Sequence, residues 1–106
     1  MEFKTKDKVK QCLKEFGIGE DQIKECAKTG LVVDIAGTGA PVECGKVMAV
    51  ALRADMDGLP IPEKNPHLEY KSKTKFAHMC GHDGHMATLL SAAQVLHNNK
   101  NKMPSN

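Results

Sequence analysis

The sequence predicts an α/β fold in which helices cover both faces of a sheet. Two observations support this prediction: helical apolar spacing occurs near both ends of the chain, and two compact apolar runs lie between them. The second run is apolar almost without interruption, which is typical of a strand covered on both faces. The chain has 106 residues, the size of one domain, but only three Phe, one Tyr and no Trp, so we expect a modest core.

The first element is an amphipathic helix predicted over residues 5–16. Apolar side chains recur there at i, i+3, i+4 and i+7, the spacing of one helix face: Val9, Cys12, Leu13 and Phe16. Thr5 can cap the start of this helix, and Gly17 can close its end. Residues 22–27 fit either a short strand or a further helical turn, so the sequence leaves this segment open.

Two strands are predicted next. Residues 31–36 form a compact apolar run that ends in a Gly- and Pro-containing turn at residues 37–41. Residues 47–54 form the second run, which is nearly continuous. This second strand leads directly into Asp55 and Asp57, so two carboxylates stand at the carboxyl end of a strand, where open α/β sheets usually bind their ligands.

The last part of the chain is predicted to be an exposed loop followed by a helix. Residues 59–76 contain three Pro and several Lys and are interpreted as the loop. Residues 84–98 form the predicted helix, with Asp83 as its cap. An apolar stripe of this helix is expected in the core: Met86, Leu89, Leu90, Ala93 and Leu96. Residues 97–106 are interpreted as a frayed helix end and a polar tail.

Charge and composition exclude several classes of partner. The formal net charge of +2 comes from interspersed charges of both signs, so the sequence offers no basic stripe for nucleic acid. No apolar run reaches the ~18 to 20 residues that a membrane span needs. The first ten residues resemble neither a secretory signal nor a transit peptide, and the four Cys include no C-x-x-C pair. We therefore expect an intracellular, cytoplasmic protein with no nucleic-acid or membrane partner.

A cluster of potential metal ligands lies in residues 78–85. Three of the five His of the chain fall within these eight positions. In an extended segment His78, Cys80 and His82 would project to the same side, so that two imidazoles and a thiolate could converge. Thiolate and neutral imidazole are the donors that zinc and similar divalent ions prefer. The spacing therefore predicts a metal site.

Asp55 and Asp57 add oxygen donors to this set, and mixed donors suit a hydrolytic site with one or two metals. Two alternatives stay open. The His-rich segment can be a helix start that binds no metal, and one of the two carboxylates can serve only in the turn before Gly58. His67 and His97 stand alone and are interpreted as ordinary surface or core residues.

Three segments of the sequence carry a family resemblance: residues 51–61 (ALRADMDGLPI), 70–73 (YKSK) and 78–85 (HMCGHDGH). Their order and spacing resemble the metal-dependent amidohydrolases that include aminoacylases, hippurate hydrolases and plant auxin-conjugate hydrolases. The resemblance implies a three-layer α/β/α catalytic domain, of which residues 1–106 would be a part with an incomplete sheet. It also implies a site for two divalent ions, manganese or zinc, and a smaller dimerisation domain that this sequence does not include.

The resemblance also implies roles for individual residues. Cys80 and His82 match metal ligands of the family, and Asp57 matches the acidic residue that supports catalysis at the metal site. Asp55 stands where related peptidases have a ligating His, which makes it a further candidate ligand. The implied reaction is hydrolysis of the amide bond of N-acyl amino acids or amide conjugates by a metal-activated water, with a Glu as general base.

The same resemblance predicts that this chain alone is inactive or nearly so. The family's general-base Glu and later metal ligands lie downstream of the helix predicted to end near Asn98, and the sequence ends at Asn106. A noncatalytic descendant is the main alternative, because an incomplete sheet exposes an unpaired edge that a protein partner could cover. A small stand-alone zinc module is a third hypothesis.

Overall fold

Two helices and a two-stranded antiparallel sheet form the framework of the part of the chain that the structure describes. The computed structural model describes residues 2–42 and 49–105. Its helices and strands are α1 (Phe3–Glu15), β1 (Ile23–Cys26), β2 (Gly30–Val33) and α2 (His82–Asn98), with short 3-10 helices at Glu20–Gln22 and Lys100–Lys102. The predicted α/β class with an incomplete sheet is confirmed. Within these residues no helix is both long enough and apolar enough to span a membrane.

α1 begins earlier than the sequence suggests. The backbone N–H of Lys6 donates to the carbonyl oxygen of Glu2 at 2.8 Å, so the first helical turn starts at Glu2 and already contains Thr5. Thr5 therefore lies inside the helix, and its predicted role as the cap is wrong. Glu2 occupies the cap position instead.

Gly17 ends α1, as predicted. Its φ of +91° lies in the left-handed region, which glycine enters at little cost. The N–H of Gly17 donates to the carbonyl of Lys14 at 3.0 Å, and the N–H of Ile18 donates to the carbonyl of Leu13 at 3.1 Å. These two hydrogen bonds form a Schellman motif, which brings the residue after the glycine back onto the last turn of the helix.

β1 and β2 form a tight hairpin. They pair antiparallel, with Ile23 opposite Val33 and Cys26 opposite Gly30. Residues 22–27, which the sequence left open between strand and helix, therefore lie mainly in a strand. In β1 the first residue is buried while the three that follow are exposed, which explains why apolar periodicity could not decide between the two alternatives.

The core is small and lies where α1, the hairpin and α2 meet. Its buried members are Leu13, Ile18 and Ile23, with 3%, 1% and 7% of their surface exposed. Six partly buried side chains surround them: Val9, Leu31, Val33, Ile35, Leu90 and Ala93. Full burial of an aliphatic side chain contributes about 1.5–3 kcal/mol, so three such residues form a core as modest as the composition predicts.

α2 buries less of its apolar stripe than predicted. The helix is confirmed, although it begins at His82, two residues before the predicted start. Of the predicted stripe, Leu90 and Ala93 pack against the core, whereas Leu96 is exposed. The expectation that the whole stripe lies in the core is wrong because a sheet of two strands is too narrow to cover the length of the helix.

The second predicted strand is not formed over residues 49–54. These residues are irregular, and Val50 exposes 89% of its surface. The prediction is wrong here because a strand with two apolar faces needs paired neighbours, whereas β1 and β2 pair with each other. The first two positions of the predicted strand, residues 47 and 48, lie outside the described residues.

The C-terminal segment is docked rather than frayed. The N–H of Thr38 donates to the carbonyl of Lys100 at 2.8 Å, and the N–H of Gly39 donates to the carbonyl of Met103 at 2.7 Å. A Cβ atom placed on Gly39 would lie only 2.7 Å from the oxygen of Met103, and one on Gly37 would lie 2.6 Å from the same oxygen. The two glycines therefore permit the approach of this segment, and the predicted frayed tail is wrong.

A partly buried ion pair joins α1 to the hairpin. Lys6 has 8% of its surface exposed, and its Nζ donates to Glu25 Oε2 at 2.8 Å and to the carbonyl of Lys28 at 3.5 Å. Lys10 adds a second, longer contact to Glu25 at 3.4 Å. The hydrogen bond from Lys6, followed by that from Lys10, holds the pKa of Glu25 below its ordinary value of 4.5.

We expect Glu25→Gln to lower the midpoint of thermal unfolding, because it leaves the buried ammonium of Lys6 with a neutral partner. The matched control is Asp34→Asn, which removes a carboxylate from an exposed pair with Lys24 at 2.8 Å and should change the midpoint little. Equal midpoints for the two variants would contradict the role of the buried pair.

The effect of Glu25→Gln should also depend on pH. The pKa of Glu25 is lower in the folded chain than its ordinary value. The stabilisation by this carboxylate is therefore fully present above its ordinary pKa and disappears as the pH falls through the lowered value. Thermal unfolding at neutral and acidic pH checks this, because the difference between wild type and variant should shrink in acid.

Candidate metal centre

Two backbone hydrogen bonds bring the separate parts of the site together. The N–H of Leu59 donates to the carbonyl of Ala77 at 2.9 Å, and the N–H of Ala77 donates to the carbonyl of Leu59 at 3.0 Å. The pair closes the irregular segment between these residues, which confirms the loop predicted over residues 59–76. It also holds the residues just before Leu59 close to the segment that leads into α2.

Asp55, Asp57 and His82 meet at one point. One candidate ligand atom from each lies within 4.8 Å of the other two. The Nδ1 of His82 is 2.8 Å from Oδ1 of Asp57 and 3.3 Å from its carbonyl oxygen. Because an ionised carboxylate and a carbonyl only accept hydrogen bonds, Nδ1 carries the proton and the lone pair of the neutral ring lies on Nε2. A carboxylate orients many metal-binding histidines in this way.

Arg53 pairs with Asp55, a contact that the sequence interpretation missed. Its Nη2 lies 2.7 Å from Oδ1 of Asp55, and the guanidinium is largely exposed. Exposed ion pairs contribute about 0–1 kcal/mol, so this pair can orient the carboxylate without preventing a cation from competing for it. The sequence could have predicted this pair, because Arg53 and Asp55 carry opposite charges and residues two positions apart share a face in an extended chain.

Glu63 fastens the loop that joins the two parts of the site. Its carboxylate accepts hydrogen bonds from the backbone N–H of Ser72 at 2.7 Å and from Nδ2 of Asn65 at 3.1 Å. The hydrogen bond from Ser72, followed by that from Asn65, holds the pKa of Glu63 below its ordinary value of 4.5. A hydrogen bond to a charged acceptor is stronger than a neutral one, so Glu63 restrains the middle of the loop.

The donor set of the cluster fits a divalent ion. Two carboxylates and one imidazole supply oxygen and nitrogen donors, which zinc and manganese both accept. Asp57 is exposed and the other two residues are partly buried, so solvent reaches the cluster. A catalytic zinc site commonly has three protein ligands and one open position, and this cluster offers three candidate ligand residues, of which Asp57 also contacts the ring of His82.

Cys80 lies outside this cluster. The expectation that His78, Cys80 and His82 project to one side assumed an extended segment, but Gly81 turns the chain with a φ of +159° and His82 begins α2. The common projection is therefore wrong. In the part of the chain that the structure describes, the ligand cluster contains His82 but neither Cys80 nor His78, and the thiol of Cys80 is free and exposed.

Asp83 and His85 lie beside the cluster on the first turn of α2. Gly81 occupies the position before the helix, so the predicted role of Asp83 as the cap is wrong. Its negative charge instead lies in the first turn, where the positive end of the helix dipole stabilises it. The ring of His85 lies 5.9 Å from that of His82, measured between ring centroids.

The family described as peptidase family M20/M25/M40 matches residues 51–106, more than half of the chain, including Asp55, Asp57, Cys80 and His82. The chain belongs to this family. Peptidase family M20/M25/M40 consists of metal-dependent hydrolases, so the family predicted from the sequence motifs is confirmed.

Several curated proteins are similar to this chain. N-acetyl-L-cysteine deacetylase of Bacillus subtilis is 48% identical over 104 residues, covering 96% of this chain and 23% of the relative. Hippurate hydrolase of Campylobacter jejuni is 44% identical over 89 residues, which cover 83% of this chain and 21% of the relative. IAA-amino acid hydrolase ILR1-like 2 of Arabidopsis thaliana is 45% identical over 75 residues, which cover 68% of this chain and 15% of the relative. The chain thus spans less than a quarter of the length of these relatives. No solved structure matches it.

We expect Glu63→Ala to speed hydrogen exchange of the Ser72 amide several-fold, because that N–H loses its charged acceptor. Glu69→Ala, which changes an exposed carboxylate of the same loop, is the control and should leave the rate unchanged. The pKa of Glu63 is lower in the folded chain than its ordinary value. The protection of the Ser72 amide by this carboxylate is therefore present above the ordinary pKa and is lost as the pH falls through the lowered value. A difference between wild type and variant that persists in strong acid would contradict this role.

Proposed function

We propose that this chain is the metal-ligand part of the catalytic domain of an amidohydrolase that acts on N-acyl amino acids or related amino-acid conjugates. The observation that carries the proposal is the meeting of Asp55, Asp57 and His82 in a chain of peptidase family M20/M25/M40. The names of the relatives support the substrate class, since they include N-acetyl-L-cysteine deacetylase and N-acyl-L-amino acid amidohydrolase.

In this proposal the residues of the cluster divide into ligands and a supporting group. His82 offers Nε2, because its Nδ1 faces Asp57. Asp55 offers a carboxylate oxygen once the exposed Arg53 moves aside. Asp57 holds the ring of His82 and adds negative charge that favours a cation. Cys80 is a further proposed ligand, because it is a free, exposed thiol two residues before His82.

A manganese or zinc ion held by these residues would act as a Lewis acid, which would polarise the substrate carbonyl and lower the pKa of a bound water molecule. The contribution of this chain is to hold and orient the ligands. The two carboxylates of the cluster already have partners, Asp55 with Arg53 and Asp57 with His82, so neither is positioned as a free general base. We therefore propose that the complete reaction needs a further base in addition to the cluster.

Metal binding by the 106-residue chain tests the proposal. We expect isothermal titration calorimetry to detect binding of zinc and manganese, and His82→Gln to weaken it at least tenfold because a nitrogen ligand is lost. Asp57→Asn should weaken binding about 10- to 100-fold, the range typical of residues that orient a ligating histidine. Cys80→Ser measures how much the thiol contributes to metal affinity. We expect this variant to lose more affinity for zinc than for manganese.

His67→Gln is the matched control for these variants, because it changes an exposed histidine in the loop without touching the cluster. Absence of metal binding by the wild-type chain would overturn the proposed site. Equal affinities of wild type, His82→Gln and Asp57→Asn would overturn the assignment of its ligands.

A turnover assay tests the need for a further base. With zinc or manganese supplied, we expect the 106-residue chain to hydrolyse N-acetyl-L-cysteine or hippurate weakly or not at all, because both carboxylates of the cluster already have partners. Release of the free amino acid is the measurement, with metal-loaded His82→Gln as the background. A kcat in the ordinary enzymatic range, about 1–10³ s⁻¹, would show that the chain needs no further base.

A further inference from the structure

We infer that the contact between Gly58 and Ala77 is a positioning element that sets the separation of Asp57 and His82. The inference rests on the proposed metal site and adds residues that are not themselves ligands. Gly58 directly follows Asp57, and Ala77 lies five residues before His82, so the contact joins the two chain segments that carry the site. Neither residue offers a side-chain donor to a metal ion.

The backbone of the two segments is in close contact at this point. A Cβ atom placed on Gly58 would lie 3.3 Å from the carbonyl oxygen of Ala77, 3.5 Å from its carbonyl carbon and 3.7 Å from its nitrogen. A methyl group therefore fits only if one backbone shifts by a few tenths of an ångström. The larger side chain of valine would require a larger displacement.

Ala77 is buried and hydrogen-bonded at this contact. It has 5% of its surface exposed, whereas its neighbours Phe76 and His78 are exposed. Both its N–H and its carbonyl are held by Leu59. Separating the two segments would break these hydrogen bonds and uncover Ala77, so we expect a side chain added at Gly58 to be accommodated by a local displacement of Gly58.

A displacement of Gly58 is transmitted to Asp57 through one peptide bond. The contact between Oδ1 of Asp57 and Nδ1 of His82 is 2.8 Å, close to the optimum for a charge-assisted hydrogen bond. Ligand sets tolerate errors of only about 0.5 Å in the positions of their groups. Gly58 thus sets the geometry of the cluster by being small, which is a role distinct from that of a turn residue.

The experiment uses the full 106-residue chain and cobalt(II), whose visible absorption reports coordination geometry. We expect Gly58→Ala to raise the Kd for cobalt(II) about threefold and Gly58→Val to raise it at least tenfold with an altered spectrum. Gly84→Ala and Gly84→Val are the matched controls, because a Cβ on Gly84 meets no atom within 4 Å. Their Kd values should stay within about twofold of wild type.

A second measurement needs no metal. In the metal-free chain the ¹⁵N chemical shifts of the His82 ring report whether Nδ1 still donates to Asp57, and we expect Gly58→Val to lose this signature. Hydrogen exchange of the Leu59 and Ala77 amides should stay slow, which separates a displaced ligand from an unfolded loop. If Gly58→Val unfolds, Gly58→Ala tests the inference instead. We expect it to cause smaller changes in the Kd for cobalt(II) and in the ¹⁵N shifts of the His82 ring.

The two proposals can fail separately. A wild-type chain that binds no cobalt(II) overturns the metal site, while the imidazole shifts of the metal-free variants still test the positioning contact. Unchanged Kd, absorption spectrum and His82 ring shifts in the folded Gly58 variants would overturn the inference and leave the metal site standing. Equal effects of the Gly58 and Gly84 variants would also overturn it.

Discussion

The packing of Ile18 against Leu13 and Ile23 joins α1, the hairpin and α2. Ile18 is almost completely buried, and it reaches that position because Gly17 adopts a left-handed conformation that reverses the chain at the end of α1. The hairpin contributes Ile23, and α2 covers the same cluster with Leu90. Because few side chains are buried among the described residues, loss of any one of them removes a large part of the apolar stabilisation of this core.

The candidate metal centre depends on a different kind of interaction from the core. Its two segments are joined mainly by the backbone pairing of Leu59 with Ala77 and by the carboxylate of Glu63, which are polar contacts close to solvent. The geometry of the cluster can therefore change while the core stays folded. A bound ion would link Asp55 and His82 directly, and by mass action it would stabilise the conformations in which they are close.

The sequence predicts what depends on local pattern and misses what depends on distant partners. Gly17 and the two helices follow from spacing and backbone chemistry, and His82 follows from the density of ligand residues. The irregular structure of residues 49–54 does not follow, because apolar character reports a need for burial and not the presence of a neighbouring strand. The pairing of Leu59 with Ala77 is equally hidden, since it uses backbone groups that every residue has.

The docking of the C-terminal segment on Gly37 and Gly39 has a consequence for how the chain folds. The hydrogen bonds from Thr38 to Lys100 and from Gly39 to Met103 connect segments more than sixty residues apart. Contacts of such high sequence separation must pay the entropy of closing a long loop before they form, and they slow folding. The hairpin and α1 are local structures, whereas the glycine-lined contact requires a long loop to close, and that loop contains both segments of the metal centre.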